Sequence, residues 1–185
     1  SLVLSNGLQN IPFTTVGDIR PDTPAQEAGF LVGDEILTVN GDPVENWGEI
    51  EEALVPVDLR KTGEVPPATL EIRREGSRQT LEMQPVFDVE AGYWSLGLEV
   101  WNTTVGLVKK NGPAANLGLQ KGDVVQSVHG QPVTSFGQIA RIINDHPDQA
   151  IEIVWLRDGQ RMSGEAVPEL KEIQPGVMKG RIFME

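Results

Sequence analysis

A stretch that occurs twice limits what this chain can fold into. Residues 24–50 read PAQEAGFLVGDEILTVNGDPVENWGEI, and residues 113–139 read PAANLGLQKGDVVQSVHGQPVTSFGQI. The two align without a gap at a constant offset of 89. Identical pairs include Pro24/Pro113, Ala25/Ala114, Gly29/Gly118, Gly33/Gly122, Asp34/Asp123, Val39/Val128, Gly41/Gly130, Pro43/Pro132, Val44/Val133 and Ile50/Ile139. Glycine, proline and aspartate dominate these identities, and such residues fix backbone geometry. The repeat is therefore a repeated fold rather than a bias of composition. The 185 residues divide into two small units, expected at 1–101 and 102–185, rather than one large domain.

Local punctuation predicts the elements. Thr23 is placed to cap a short helix, Pro24 suits its first position, Gln26 completes a capping box, and Gly29 stops it. Gly112, Pro113 and Gly118 repeat the device. Helices this short must pack onto a sheet, through Ala25 and Ala28 or through Ala114 and Leu117. A strand is expected over 13–19. Gly33-Asp34 turns the chain into another strand, and Asn40-Gly41, or His129-Gly130 in the copy, predicts a type I′ hairpin. A second helix is expected over 46–54 and 135–144, with Trp47, Ile50 and Leu54, or Phe136, Ile139 and Ile143, on one face. Hairpins follow at 70–83 and 151–164, where Gly76 matches Gly159 at an offset of 83. The first copy thus carries extra residues within 59–68, and Pro66-Pro67 there predicts an exposed loop. Each unit closes on a glycine-introduced segment, at 92–101 and 179–185.

A formal charge of −12 disfavours nucleic acid and anionic lipid as partners. The absence of cysteine excludes disulfides and thiolate metal sites. No apolar run reaches the roughly 20 residues a membrane helix needs, and no signal peptide is visible. The sequence begins at Ser1 rather than methionine and is read as a piece of a longer protein.

The order strand, short helix, Gly-Asp turn, strand, Asn-Gly turn, second helix and hairpin resembles a PDZ domain. Thr23-Pro24-Ala25, Ala28-Gly29, Gly33-Asp34, Val39-Asn40-Gly41 and Pro43-Val44 carry the resemblance in the first unit. Gly112-Pro113-Ala114-Ala115, Leu117-Gly118-Leu119, Lys121-Gly122-Asp123, Val128 and Gly130-Gln131-Pro132-Val133 carry it in the second. The resemblance implies an α+β, mainly β, fold: two tandem domains, each a small, partly open antiparallel β-barrel or sandwich with two helices. It also implies peptide binding by strand addition, with a Φ-Gly-Φ loop presenting N–H groups to a terminal carboxylate. Leu96-Gly97-Leu98 is the candidate loop of the first unit. It follows the hairpin, so each unit is expected to be circularly permuted. Arg181-Ile182-Phe183 stands in the second unit's place, with Phe183 where the pattern wants glycine, which puts carboxylate binding there in doubt. The second helices form the other walls. Glu49 and Ala53 are candidate groove residues in the first unit, Gln138 and Ile142 in the second. Glu49, Glu51 and Glu52 read equally as a solvated helix face, and Ile142 equally as core. Tyr93, Trp94 and Trp101 form either an inter-domain contact or a partner surface. A bulky side chain at Gly97 is expected to block the site without unfolding the domain.

The permuted tandem is similar to the periplasmic segment of bacterial site-2 intramembrane zinc metalloproteases. That resemblance implies a non-catalytic module of an inner-membrane protein, gating or binding substrates such as a trimmed, membrane-bound anti-sigma factor. It implies a monomer, and zinc only in the rest of the parent. The family's H-E-x-x-H motif is missing here: His129 and His146 are the only histidines, and both read as turn or loop residues. No serine stands in a protease motif. Two alternatives remain open: the tandem of a trypsin-like periplasmic quality-control protease, and a PDZ scaffold without protease activity.

Overall fold

A computed structural model describes residues 11–61, 64–89, 92–174 and 177–181. The chain separates into two compact units, one spanning Asn10–Trp101 and the other containing everything from Asn102 onward. In the first, β1 (Val16–Ile19) leads to α1 (Pro24–Glu27), β2 (Glu35–Val39), β3 (Asp42–Pro43), α2 (Trp47–Leu54), β4 (Ala68–Arg74) and β5 (Ser77–Met83). Then come β6 (Val86–Asp88), β7 (Tyr93–Ser95) and β8 (Leu98–Val100). The second unit has α3 (Pro113–Asn116), β9 (Val124–Val128), β10 (Gln131–Pro132), α4 (Phe136–Asp145), β11 (Ile151–Arg157), β12 (Gln160–Ala166), β13 (Glu169–Gln174) and β14 (Val177–Arg181). The sheets are open: β3-β2-β4-β5 and β10-β9-β11-β12 repeat one order, and β1-β8, β6-β7 and β13-β14 are separate pairs. No helix among the described residues is long and apolar enough to cross a membrane.

The cores follow the expected periodicities. Ala68, Leu70 and Ile72 alternate inward from β4 and meet Ile50 and Leu54 of α2. Ile151, Ile153 and Trp155 do the same from β11 against Ile139 and Ile143 of α4. The hairpin turns place Asn40 at φ 53° with Gly41 at 89°, and His129 at 51° with Gly130 at 74°, as a type I′ turn requires.

Several local expectations are corrected. The first strand begins only at Val16, and Phe13 stays exposed because Thr15 folds back onto the Pro12 carbonyl. Thr23 stands at the N-cap of α1 but makes no cap bond; its hydroxyl donates to the Arg20 carbonyl at 2.6 Å. The Gln26 side chain accepts instead from the Asp22 N–H. The 59–68 insertion is not simply an exposed loop. Val65 is buried, its carbonyl accepts from the Gln84 side chain, and Arg60 is tied to the Val55 carbonyl and to Glu52.

The two larger helices carry reciprocal caps. Asn46 Oδ1 accepts from Glu49 N–H at 3.0 Å, while Glu49 accepts from Glu45 N–H at 2.7 Å. Ser135 Oγ accepts from Gln138 N–H, and Gln138 accepts from Thr134 N–H. Asn46→Ala and Ser135→Ala should each cost about 1 kcal/mol, read as a lowered urea midpoint with unchanged slope.

The identical Gly-Asp turns are locked by arginines. Arg74 Nε and Nη2 donate to the two oxygens of Asp34, both at 2.7 Å, and Nη2 also donates to the Gly29 carbonyl at 2.9 Å. Arg157 treats Asp123 and Gly118 alike, at 2.8, 2.7 and 2.6 Å. Each aspartate also accepts a backbone N–H, from Leu31 or Gln120. The clamp ties the end of the short helix, the turn and the far end of a central strand into one piece. Arg157 holds the Asp123 carboxyl below its ordinary range, chiefly by hydrogen bonding. A carboxylate with a depressed folded pKa stabilises the fold above its unfolded pKa, about 4, and that contribution is lost as pH falls through the folded value. The second unit's urea midpoint is therefore expected to drop below about pH 4, and Asp123→Asn should flatten that part of the profile.

Candidate functional site

The site is assembled around the segment that joins β7 to β8. The Leu96 carbonyl accepts from Ala25 N–H at 3.1 Å, and the Gly97 carbonyl accepts from Arg20 N–H at 2.8 Å. A carbonyl and the following N–H lie in one peptide plane and point in opposite directions. With both carbonyls held by α1 and the end of β1, the N–H groups of Gly97 and Leu98 are aimed the other way. Two successive N–H groups presented together form an anion cradle.

The ladder continues the edge. The Arg20 N–H bond to the Gly97 carbonyl lies one step beyond the ladder, which runs on through Ile19–Leu98 to Asp18–Glu99. Bonded and non-bonded pairs alternate in an antiparallel ladder. Leu98 therefore turns its N–H and C=O away from β1, toward the edge on which no described strand pairs. The Leu98 side chain is buried and Leu96 packs against the same core, which gives the cradle an apolar rim.

Gly97 cannot be another residue here. Its φ is +80°, and a Cβ would overlap Oγ1 and Cβ of Thr23. The expectation that a bulky residue at Gly97 blocks the site without disturbing the fold is therefore overturned. Thr23, at the N-cap of α1, lies directly against this loop. Sequence reasoning missed Arg20, Thr23 and Ala25 as the posts that aim the cradle; the Thr-Pro-Ala run was visible but looked like helix punctuation alone.

The other candidates fall in different places. Glu49 and Gln138 are occupied as cap residues. Ala53 and Ile142 are half-buried and pack against the first and second cores. Arg181 ends β14, which pairs with β13, and Ile182 and Phe183 lie outside the described residues. Trp94 packs against the first core and meets Phe87 edge-on at 5.5 Å, while Tyr93 is exposed. His129 and His146 come together with ring centroids 4.1 Å apart, and His146 Nδ1 lies 2.8 Å from the Ile142 carbonyl, at the end of α4. Among the described residues no group of three or more histidine, aspartate or glutamate side chains is arranged to hold a metal. A zinc site does not fit these residues.

Residues 8–84 and 104–157 each match a family profile described as PDZ domain. The chain is two PDZ domains in tandem. A provisionally named zinc metalloprotease of Neisseria meningitidis is 29% identical over 171 residues, covering 90% of this chain and 38% of that protein. A probable DegP-like periplasmic serine endoprotease of Pseudomonas fluorescens is 30% identical over 187 residues, covering 86% of this chain and 38% of that protein. The tandem thus spans well under half the length of these relatives. Among solved structures, the PDZ domain of an SdrC-like protein of Listeria monocytogenes aligns with a TM-score of 0.38 and 15% identity, over 46% of this chain and 84% of that one.

Proposed function

We propose that this tandem is the non-catalytic PDZ segment of a site-2 type intramembrane zinc metalloprotease, and that it governs which substrates reach the protease. The observation that carries the binding role is the outward pair of N–H groups at Gly97 and Leu98, beside an unpaired strand edge. A peptide adds to such an edge through its backbone, with its terminal carboxylate in the cradle. In this reading the tandem lies on the periplasmic side of a bacterial inner membrane that the parent spans, and the parent keeps its zinc outside this chain. The class of partner is a membrane-bound protein whose trimmed end is newly exposed, such as an anti-sigma factor of a sigma-E type stress response.

The serine-protease tandem is the second reading, supported by the DegP-like relatives. In that arrangement the Φ-Gly-Φ strand precedes its domain. Here β8 pairs with β1 of the unit it closes, which favours the metalloprotease reading. The parent gene decides between them. An H-E-x-x-H membrane helix upstream and further membrane helices downstream are expected; an upstream trypsin-like domain would replace the proposal.

Binding is tested by titrating the labelled tandem with an alanine hexapeptide ending in valine, as free acid and as amide. Amide shifts at Gly97 and Leu98 are expected with the acid only. Equal shifts with both forms, or none, would remove the carboxylate role and leave steric gating.

A further inference from the structure

We infer that Arg20 is a specificity residue of the first groove, favouring peptides with an acidic penultimate residue; this rests on the peptide-edge reading above. Asp18 is directly opposite Glu99 in the β1–β8 ladder, and Arg20, two residues on, donates its N–H to the Gly97 carbonyl. Side chains of directly opposed residues rise on the same face of a sheet, and those two apart on one strand share that face. Arg20, Asp18 and Glu99 therefore share one face, on which Asp18 is buried and Arg20 is the cation, while Leu98 points into the core. An added peptide strand alternates in the same way. With its terminal carboxylate at the Gly97 and Leu98 N–H groups, its last side chain lies on the Leu98 side. The side chain before it lies level with Glu99, on the face that carries the guanidinium.

The sign of the preference comes from how Arg20 is held. Its Nε is 3.8 Å from Glu99 Oε1, an ion pair too long for a hydrogen bond, and that Nε is buried without a hydrogen-bond partner. The side chain is 42% exposed, so a ligand can reach it. The buried Nε stays out of a ligand's reach, but a carboxylate arriving at the exposed part of the side chain gains a charge-assisted contact with the guanidinium. Glu99 is itself engaged and offers a basic side chain less. The overall charge of −12 repels acidic peptides at long range, but salt at about 0.15 M screens beyond roughly 8 Å, and the guanidinium acts at contact.

The test uses the intact tandem and three alanine hexapeptides ending in Glu-Val, Ala-Val or Lys-Val, all free acids, at physiological salt. The Glu-Val peptide should bind about tenfold tighter than the Ala-Val peptide, the worth of one charge-assisted bond. Arg20→Gln should bring that ratio close to one, and Glu99→Gln, which removes the competing anion, should raise it. Opposite shifts from the two variants are not expected of a residue that only supports the fold, and thermal melts of both confirm folding. A preference for Lys-Val, or a ratio unchanged in Arg20→Gln, overturns the inference while leaving the groove intact. If none of the peptides moves the Gly97 and Leu98 amides, the groove reading falls and takes this inference with it.

Discussion

Replacing Arg157 by methionine is expected to destabilise the second PDZ domain, because it strands the Asp123 carboxylate, the buried partner of the pair. Asp123 is 1% exposed, so without Arg157 its carboxylate has neither water nor a cation, and only the Gln120 N–H remains. The Gly118 carbonyl loses its donor at the same time. Arg74→Met should do the same to the first domain through Asp34, also 1% exposed. The two domains provide each other's control. Slowed-exchange amides of β9 and β11 should lose protection in Arg157→Met while those of β2 and β4 keep it, and Arg74→Met should reverse the pattern. Pairing Arg157→Met with Asp123→Asn should cost less than the sum of the singles, because the second change removes the stranded charge. Unchanged protection and an unchanged urea midpoint in either single variant would mean that the clamp behaves as a solvated surface pair.

The clamp also shows where the sequence was legible and where it was not. The repeat exposed both Gly-Asp turns, because a gapless comparison at an offset of 89 aligns them. It did not expose the arginines. Arg74 and Arg157 lie beyond the 59–68 insertion, at an offset of 83, and nothing local says that a residue at the end of a strand reaches a turn 40 or 34 positions earlier. The turns at Asn40-Gly41 and His129-Gly130 and the buried faces of α2 and α4 were readable because turn chemistry and periodicity are local. The run Thr14-Thr15-Val16-Gly17 recurs as Thr103-Thr104-Val105-Gly106 at the same offset of 89, so the repeat begins earlier than Pro24. Composition also cannot show that the Glu49 carboxylate accepts the Glu45 N–H. At the site itself, Leu96-Gly97-Leu98 was legible as a pattern, but the direction of its N–H groups was not, since that is set by Arg20 and Ala25, far away in sequence.

Gly97→Ala is expected to destabilise the first domain by about 2–5 kcal/mol and to abolish carboxylate-dependent shifts. Two effects add. A left-handed φ of +80° costs an L-residue roughly 1–2 kcal/mol, and forcing a methyl into filled space costs roughly 1–3 kcal/mol. The space is filled by Thr23, whose Oγ1 and Cβ sit where the new methyl must go. Thr23 cannot simply rotate away, because its Cβ as well as its hydroxyl is in contact and the hydroxyl is held by the Arg20 carbonyl. The backbone must yield instead, and the backbone there is what aims the cradle. Thr23→Gly in the Gly97→Ala background should therefore recover the overlap part and leave about 1–2 kcal/mol from the dihedral. Thr23→Gly alone should cost the Arg20 bond without a gain. Urea denaturation of the four proteins closes the cycle. If Gly97→Ala costs as much in the Thr23→Gly background as in the wild type, contact with Thr23 is not what makes glycine necessary, and the loop owes its shape to the dihedral alone.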